Sequence, residues 1–126
     1  MEFLPKLPRI GLELEGQPLN IEIALASSFL SRLRGLILTG PMTPGRGLMI
    51  AFCNSVHTFG MRGPIEVVFL SKDLRVLKIS SPLRPWRSVS ACFGAWAVLE
   101  WCVGEADNFG LREGSQLKQV SMKPTS

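Results

Sequence analysis

Two stretches near the start of the chain alternate apolar and polar residues with period two. In "RIGLELEG", Ile10, Leu12 and Leu14 alternate with Gly11, Glu13 and Glu15; in "NIEIALA", Ile21, Ile23 and Leu25 repeat the pattern. Successive side chains of an extended chain point to opposite faces, so each stretch predicts a strand with one buried side. The intervening "EGQPL" carries Gly16 and Pro18, turn residues that predict a hairpin. The period then changes. In "SSFLSRLRGLIL", Phe29, Leu30, Leu33, Leu36 and Ile37 recur at three-to-four spacing. That is one face of a helix, with Ser27 or Ser28 placed to cap its first amides. "TGPMTPGRG" stops it, and it is expected to be the only substantial helix.

Short strands follow between turn signals: "GLMIAF", "IEVVFLS" after Gly63-Pro64, "RVLKIS" after the tight turn "KDL", "AWAVLEWCVG" and "SQLKQVSM". "EADNFGLREG" predicts a single helical turn, and the tail "KPTS" is expected to fray. Two of these strands are apolar on both sides. In "IEVVFLS", Ile65, Val67 and Phe69 face one way and Glu66, Val68 and Leu70 the other. In "AWAVLEWCVG", Trp96, Val98, Glu100 and Cys102 oppose Ala97, Leu99, Trp101 and Val103. Strands of this kind belong in the centre of a sheet that is covered on both faces. The pattern therefore predicts a mainly β domain, a compact β-sandwich or jelly-roll-like, partly closed barrel with one short helix.

The chain has 126 residues, which predicts one domain, with its core over about residues 9–121. Apolar residues make up 46% and charged residues 19%, the balance of a packed globule rather than a disordered chain. The net charge of +4 is modest and the arginines are scattered, which argues against nucleic acid as a partner. No apolar run reaches the ~20 residues of a membrane helix. "MEFLPKLPRIGLELEG", with Glu2, Pro5 and Pro8, lacks the apolar stretch of a secretory signal, so a cytoplasmic location is expected. The three cysteines, Cys53, Cys92 and Cys102, have neither zinc nor C-x-x-C redox spacing. They read as small buried hydrophobes; a Cys92–Cys102 bridge across neighbouring strands is the other arrangement their positions allow.

"RLRGLI", "GRGLMIAFCNSVHTFGMR", "SVHTFGMRGPIEVVFL", "LRPWR" and "AVLEWCVG" together resemble the bacterial and archaeal family called domain of unknown function 192, from about Ile21 to Val120. The resemblance implies a compact β-sandwich or jelly-roll-like barrel with little helix. It brings no accepted catalytic residues. Where the family carries aspartate after "PI", this chain has Glu66; where the family has Gly-Asp before the last strand, it has Gly114-Ser115. A serine there can still cap a turn.

The candidate chemistry is concentrated in two loops and two strands. His57 is the single histidine, a group able to act as a base or a metal ligand near neutral pH. No further ligands stand at metal spacing around it, so neither a metal nor another cofactor is expected. Arg62 lies close enough along the chain to pair with Glu66, and a carboxylate facing a core is costly unless paired. Glu66 and Glu100 could alternatively form a two-acid site if their strands brought them together. In "LRPWR", Arg84, Trp86 and Arg87 flank Pro85, an aromatic between guanidiniums suited to stacking on a ring. Cys53, four residues before His57, is a conceivable nucleophile but reads better as a buried thiol. There is no G-K-[ST] loop and no G-x-S-x-G elbow.

These residues favour binding over catalysis. The first reading is a polar cleft formed by His57, Thr58, Arg62, Arg84, Trp86 and Arg87, holding a small ligand or a protein partner. The second is a small hydrolase or lyase, with His57 as base, Arg62 steadying negative charge and Glu66 or Glu100 orienting the imidazole. The third is a structural polar seam with no activity.

Overall fold

The computed structural model describes residues 7–26, 43–57, 63–85 and 89–121, with His57 and Val89 described by their backbone alone. Its strands are β1 (Arg9–Leu14), β2 (Gln17–Pro18), β3 (Glu22–Ala26), β4 (Arg46–Ala51), β5 (Ser55–His57), β6 (Ile65–Leu70), β7 (Val76–Leu83), β8 (Val89–Ala91), β9 (Ala97–Trp101) and β10 (Leu117–Ser121); one short helix, α1 (Glu105–Phe109), precedes β10. The helix expected from Ser27 or Ser28 to Ile37 and the tail "KPTS" lie outside the described residues. The helical turn expected in "EADNFGLREG" is α1.

The two strands that read as apolar on both faces are neighbours in the middle of the sheet. β6 and β9 are buried at every position, and β9 lies between β4 and β6. The sheet runs β10-β1-β3-β4-β9-β6-β7, with β2 added to β1. Each pairing is antiparallel except β3 with β4. The hairpin expected at "EGQPL" is present but short. Glu15 and Gly16, at φ 51° and 82°, form a two-residue turn that pairs Leu14 with Gln17. β3 meets β1 only at Arg9 and Ile10.

The sheet curls until its two ends touch, giving the partly closed barrel. Arg75 bridges Gln116, and backbone bonds join Val76 to Gly114 and Ser115 and Leu74 to Leu117. Side chains reinforce the seam: the Arg75 guanidinium donates to the Gly114 carbonyl at 3.1 Å, and the Gln116 amide to the Asp73 carbonyl at 2.6 Å. Ser115 caps the turn as expected, its hydroxyl accepting from the Arg112 N–H at 2.9 Å.

Two apolar clusters occupy the two faces. The barrel interior holds Ile10, Leu12, Ile23, Met49, Val68, Leu70, Leu99 and Trp101, among others. The outer face of the central strands holds Leu48, Ile50, Ile65, Val67, Phe69 and Val98, covered by Cys53 and Val56 of the β5 region. β5 and β8 form a separate two-stranded ribbon. Its β8 strand is fastened to β7 by the Ser80–Ser90 hydroxyl pair at 2.6 Å and by Lys78 donating to the Ala91 carbonyl at 2.8 Å. All three cysteines are thiols, so Cys92 and Cys102 do not form the bridge their positions allowed.

Gly47 shows how closely the centre is packed. A Cβ at this position would lie 2.8 Å from Ile23 Cδ1 and 3.1 Å from the Glu100 carbonyl. Ile23 is fully buried and the carbonyl belongs to a ladder strand, so neither can withdraw freely. Gly47→Ala is therefore expected to lower unfolding free energy by about 1–3 kcal/mol, measured by urea denaturation.

Candidate functional site

Glu66 and Glu100 lie on neighbouring strands, yet the register sends them apart. Glu66 stands opposite Trp101 and Glu100 opposite Val67. Side chains alternate along both strands, so Glu66 enters the barrel interior with Trp101, while Glu100 faces the outer cluster with Val67. The two-acid arrangement is not formed.

Glu66 is buried and engaged by three donors. Its carboxylate accepts from Trp101 Nε1 at 2.7 Å, from the Gly104 N–H at 3.1 Å and from the Ala106 N–H at 2.8 Å. The indole is itself fully buried and needs an acceptor. The two amides open α1, whose first-turn N–H groups have no partner within the helix. A strand residue thus does the work of an N-cap, and its negative charge suits the helix start. Glu105, the first residue of α1, is also buried and accepts from the Gly45 N–H at 3.2 Å and from the Asn108 side-chain amide at 3.3 Å. Between these two acids lies Cys102. Burial, then the charges of Glu105 and Glu66, push its thiol above the ordinary range.

Glu100 is 0% exposed on the opposite face. Its row across the sheet reads Ser80, Val67, Glu100, Leu48, Ala24, one carboxylate among aliphatic neighbours. Ser80 at the end of this row carries the hydroxyl bond to Ser90. Glu100 thus lies on the face to which the β5–β8 ribbon is attached.

The two loops singled out in the sequence share their anchor points. Residues 58–64 connect β5 to β6, and residues 84–88 connect β7 to β8. His57 and Val89 are register partners in the ribbon, and Ile65 and Leu83 are register partners in the sheet. Both connections therefore leave one backbone pair and arrive at another. Beside the sheet anchor is a surface trough of about 480 Å³ lined by Pro64, Pro82, Arg84, Pro85 and Val103. Arg84 and Val103 are exposed.

Of the predicted site residues, His57 ends β5, Arg84 lines the trough, Glu66 lies inside the barrel and Glu100 on its outer face. Thr58, Arg62, Trp86 and Arg87 lie outside the described residues. Among the described residues the donors to Glu66 are Trp101, Gly104 and Ala106, and the pairing expected with Arg62 lies outside those residues. Cys53 is buried, its thiol donating to the Ser55 carbonyl at 3.1 Å, which suits the buried-thiol reading. Among the described residues no cluster of three or more His, Cys, Asp or Glu side chains could hold a metal ion, and no helix is long and apolar enough to cross a membrane. Sequence reasoning missed Pro64, Pro82 and Val103 as trough walls; their only signal was proline beside the two polar loops.

The family model for DUF192, described as an uncharacterized ACR, matches residues 11–119, and the chain belongs to that family. No curated protein matches it. Among solved structures it is similar to a Sinorhizobium meliloti 1021 protein provisionally described as a transcription regulator, at 19% identity and a TM-score of 0.79, covering 90% of this chain and 95% of that one. It is also similar to a protein of unknown function from Novosphingobium aromaticivorans DSM 12444, at 18% identity and a TM-score of 0.75, covering 89% and 84%. At these identities the likeness establishes the shared fold.

Glu66→Ala should cost about 3 kcal/mol or more in urea denaturation, because three donors lose their acceptor at once, two of them from buried residues. Glu66→Gln, which keeps one acceptor oxygen, should cost less. At Cys102 the folded thiol holds its proton to higher pH than the unfolded one. Its contribution to stability is therefore full below the ordinary thiol range and falls as pH rises through the raised value. Alkylation of Cys102 in the native protein should accelerate severalfold in Glu105→Gln, read by mass spectrometry at mildly alkaline pH.

Proposed function

We propose that this protein is a binding module that holds a small acidic ligand in a cleft bounded by residues 57–62 and 84–87, opening onto the Pro64–Pro82–Pro85–Val103 trough. The observation that carries this reading is the pair of shared anchors. Two connections begin and end at register partners, His57 with Val89 and Ile65 with Leu83, which supports their forming one surface. The first segment contains His57, Thr58 and Arg62, and the second Arg84, Trp86 and Arg87.

The chemistry of that set selects the ligand. Guanidiniums recognise carboxylate or phosphate through paired N–H donors, and an indole offers a flat apolar surface for a ring. The trough has the volume of an ordinary small-molecule site and walls of proline and valine, so the apolar body of a ligand fits there. A ligand-responsive module also accords with the regulatory role described for the S. meliloti neighbour. The hydrolytic alternative keeps fewer parts. Glu66 is engaged inside the barrel, which leaves Glu100 as the acid on the ribbon face.

A thermal-shift screen of small carboxylates and phosphates should find compounds that raise the unfolding temperature of the wild type. Arg84→Ala, Trp86→Ala and Arg87→Ala should each weaken binding of such a compound by about tenfold or more, the worth of one charge-assisted contact or one stacked ring. Without ligand, Arg84→Ala, the change at the exposed described position, should stay within about 0.5 kcal/mol of the wild type. Equal affinity in the wild type and all three variants would sink the reading, and binding of a peptide but no small compound would reassign the cleft to a protein partner.

A further inference from the structure

At the other end of β6 and β9 from the trough, two adjacent turns hold large apolar side chains in solvent. Phe93 is fully exposed and Phe52 is 76% exposed. Phe93 occupies the second position of a four-residue turn closed by the Ala95 N–H on the Cys92 carbonyl at 3.1 Å. Gly94, third in that turn at φ 90°, supplies the positive φ that such a turn requires. Phe52 follows β4 with φ 58°, a conformation that is costly for a bulky residue and that concentrates at functional positions. The turns are clamped together. The Cys53 N–H bonds the Trp96 carbonyl at 3.2 Å, and the Cys92 N–H bonds the Asn54 carbonyl at 2.9 Å. Phe52 also packs edge-on against Trp96, with ring centres 5.4 Å apart.

Cations surround this rim. The Trp96 N–H bonds the Leu70 carbonyl, so the turn that carries exposed Lys72 and Arg75 begins beside Trp96. On the other side the Lys78 ammonium bonds the Ala91 carbonyl, two residues before Phe93. Of the acids, Asp73 stands in the same turn, its carboxyl held below the ordinary range by the Ser71 hydroxyl, and so charged. Across residues 71–83, three cations stand against one acid, on a chain of net charge +4.

We infer that this rim is a lipid-surface contact: Phe52 and Phe93 enter the headgroup boundary of an anionic membrane, while Lys72, Arg75 and Lys78 meet its charge. Apolar tips flanked by cations are what interfacial attachment requires, since burial of rings and attraction to anionic lipid add. The clamp fixes the backbone of both turns, so little main-chain freedom is lost on contact. The contact lies at the opposite end of the central strands from the cleft, so either can fail without the other.

The test is sedimentation of the full chain with vesicles. The wild type should bind vesicles of phosphatidylcholine containing about one third phosphatidylglycerol, bind pure phosphatidylcholine less, and release in high salt. Phe93→Ser should reduce the partition coefficient about tenfold. Phe93 touches solvent on every side, so this variant should unfold at the wild-type temperature. Phe93→Trp should retain binding, and Lys72→Gln should weaken it on anionic vesicles alone. Absence of binding to anionic vesicles overturns the inference, as does equal binding by the wild type and Phe93→Ser. Self-association that requires Phe93, without vesicle binding, also overturns it and assigns the rim to a second copy of the chain.

Discussion

One carboxylate inside the barrel organises much of this molecule. Glu66 accepts hydrogen bonds from the Trp101 indole and from the amides of Gly104 and Ala106, and so joins β6, β9 and α1 at a single point. An anion in an apolar interior is tolerated only when its lone pairs are filled, and a helix start is tolerated there only when its amides are accepted. Each requirement answers the other. The bond also reaches the surface. Val103, a wall of the trough, sits between Trp101 and Gly104, both held by the same carboxylate. The trough inherits its shape from a buried polar contact.

Register decides the rest. Had β9 slipped by one residue against β6, Glu66 and Glu100 would have shared a face. In the observed register one acid serves the interior and the other lies under the ribbon side of the sheet. The ribbon in turn carries both polar loops between its own end pair, His57 and Val89, and the sheet pair, Ile65 and Leu83. The same ribbon clamps the aromatic turns at its far end through Asn54 and Cys92. The trough and the aromatic turns thus lie at opposite ends of β6 and β9.

The amino-acid pattern disclosed what depends on neighbours in the chain. The parity of "IEVVFL" and "AVLEW" marked β6 and β9 as central strands, and the family resemblance agreed with the barrel. The Ser115 cap was legible because a serine turn is local. The partner of Glu66 was not, because Trp101 is far along the chain and only the register makes them opposite. β5 and β8 have three residues each, too few for alternation to register, and the closure at Arg75 and Gln116 joins the starts of two predicted strands that are far apart along the chain. Of the two polar loops, the residue types were visible and the shared anchors were not.

The pairing of β1 with β10 carries a consequence for synthesis. Residues 9–14 emerge early, but their partner along that edge is residues 117–121. Until those residues leave the ribosome, β1 has an open edge and the barrel cannot close on Gln116. The nascent chain must therefore carry exposed strand edges until residues 117–121 are made, which makes shielding of the growing polypeptide part of how this small barrel comes to exist.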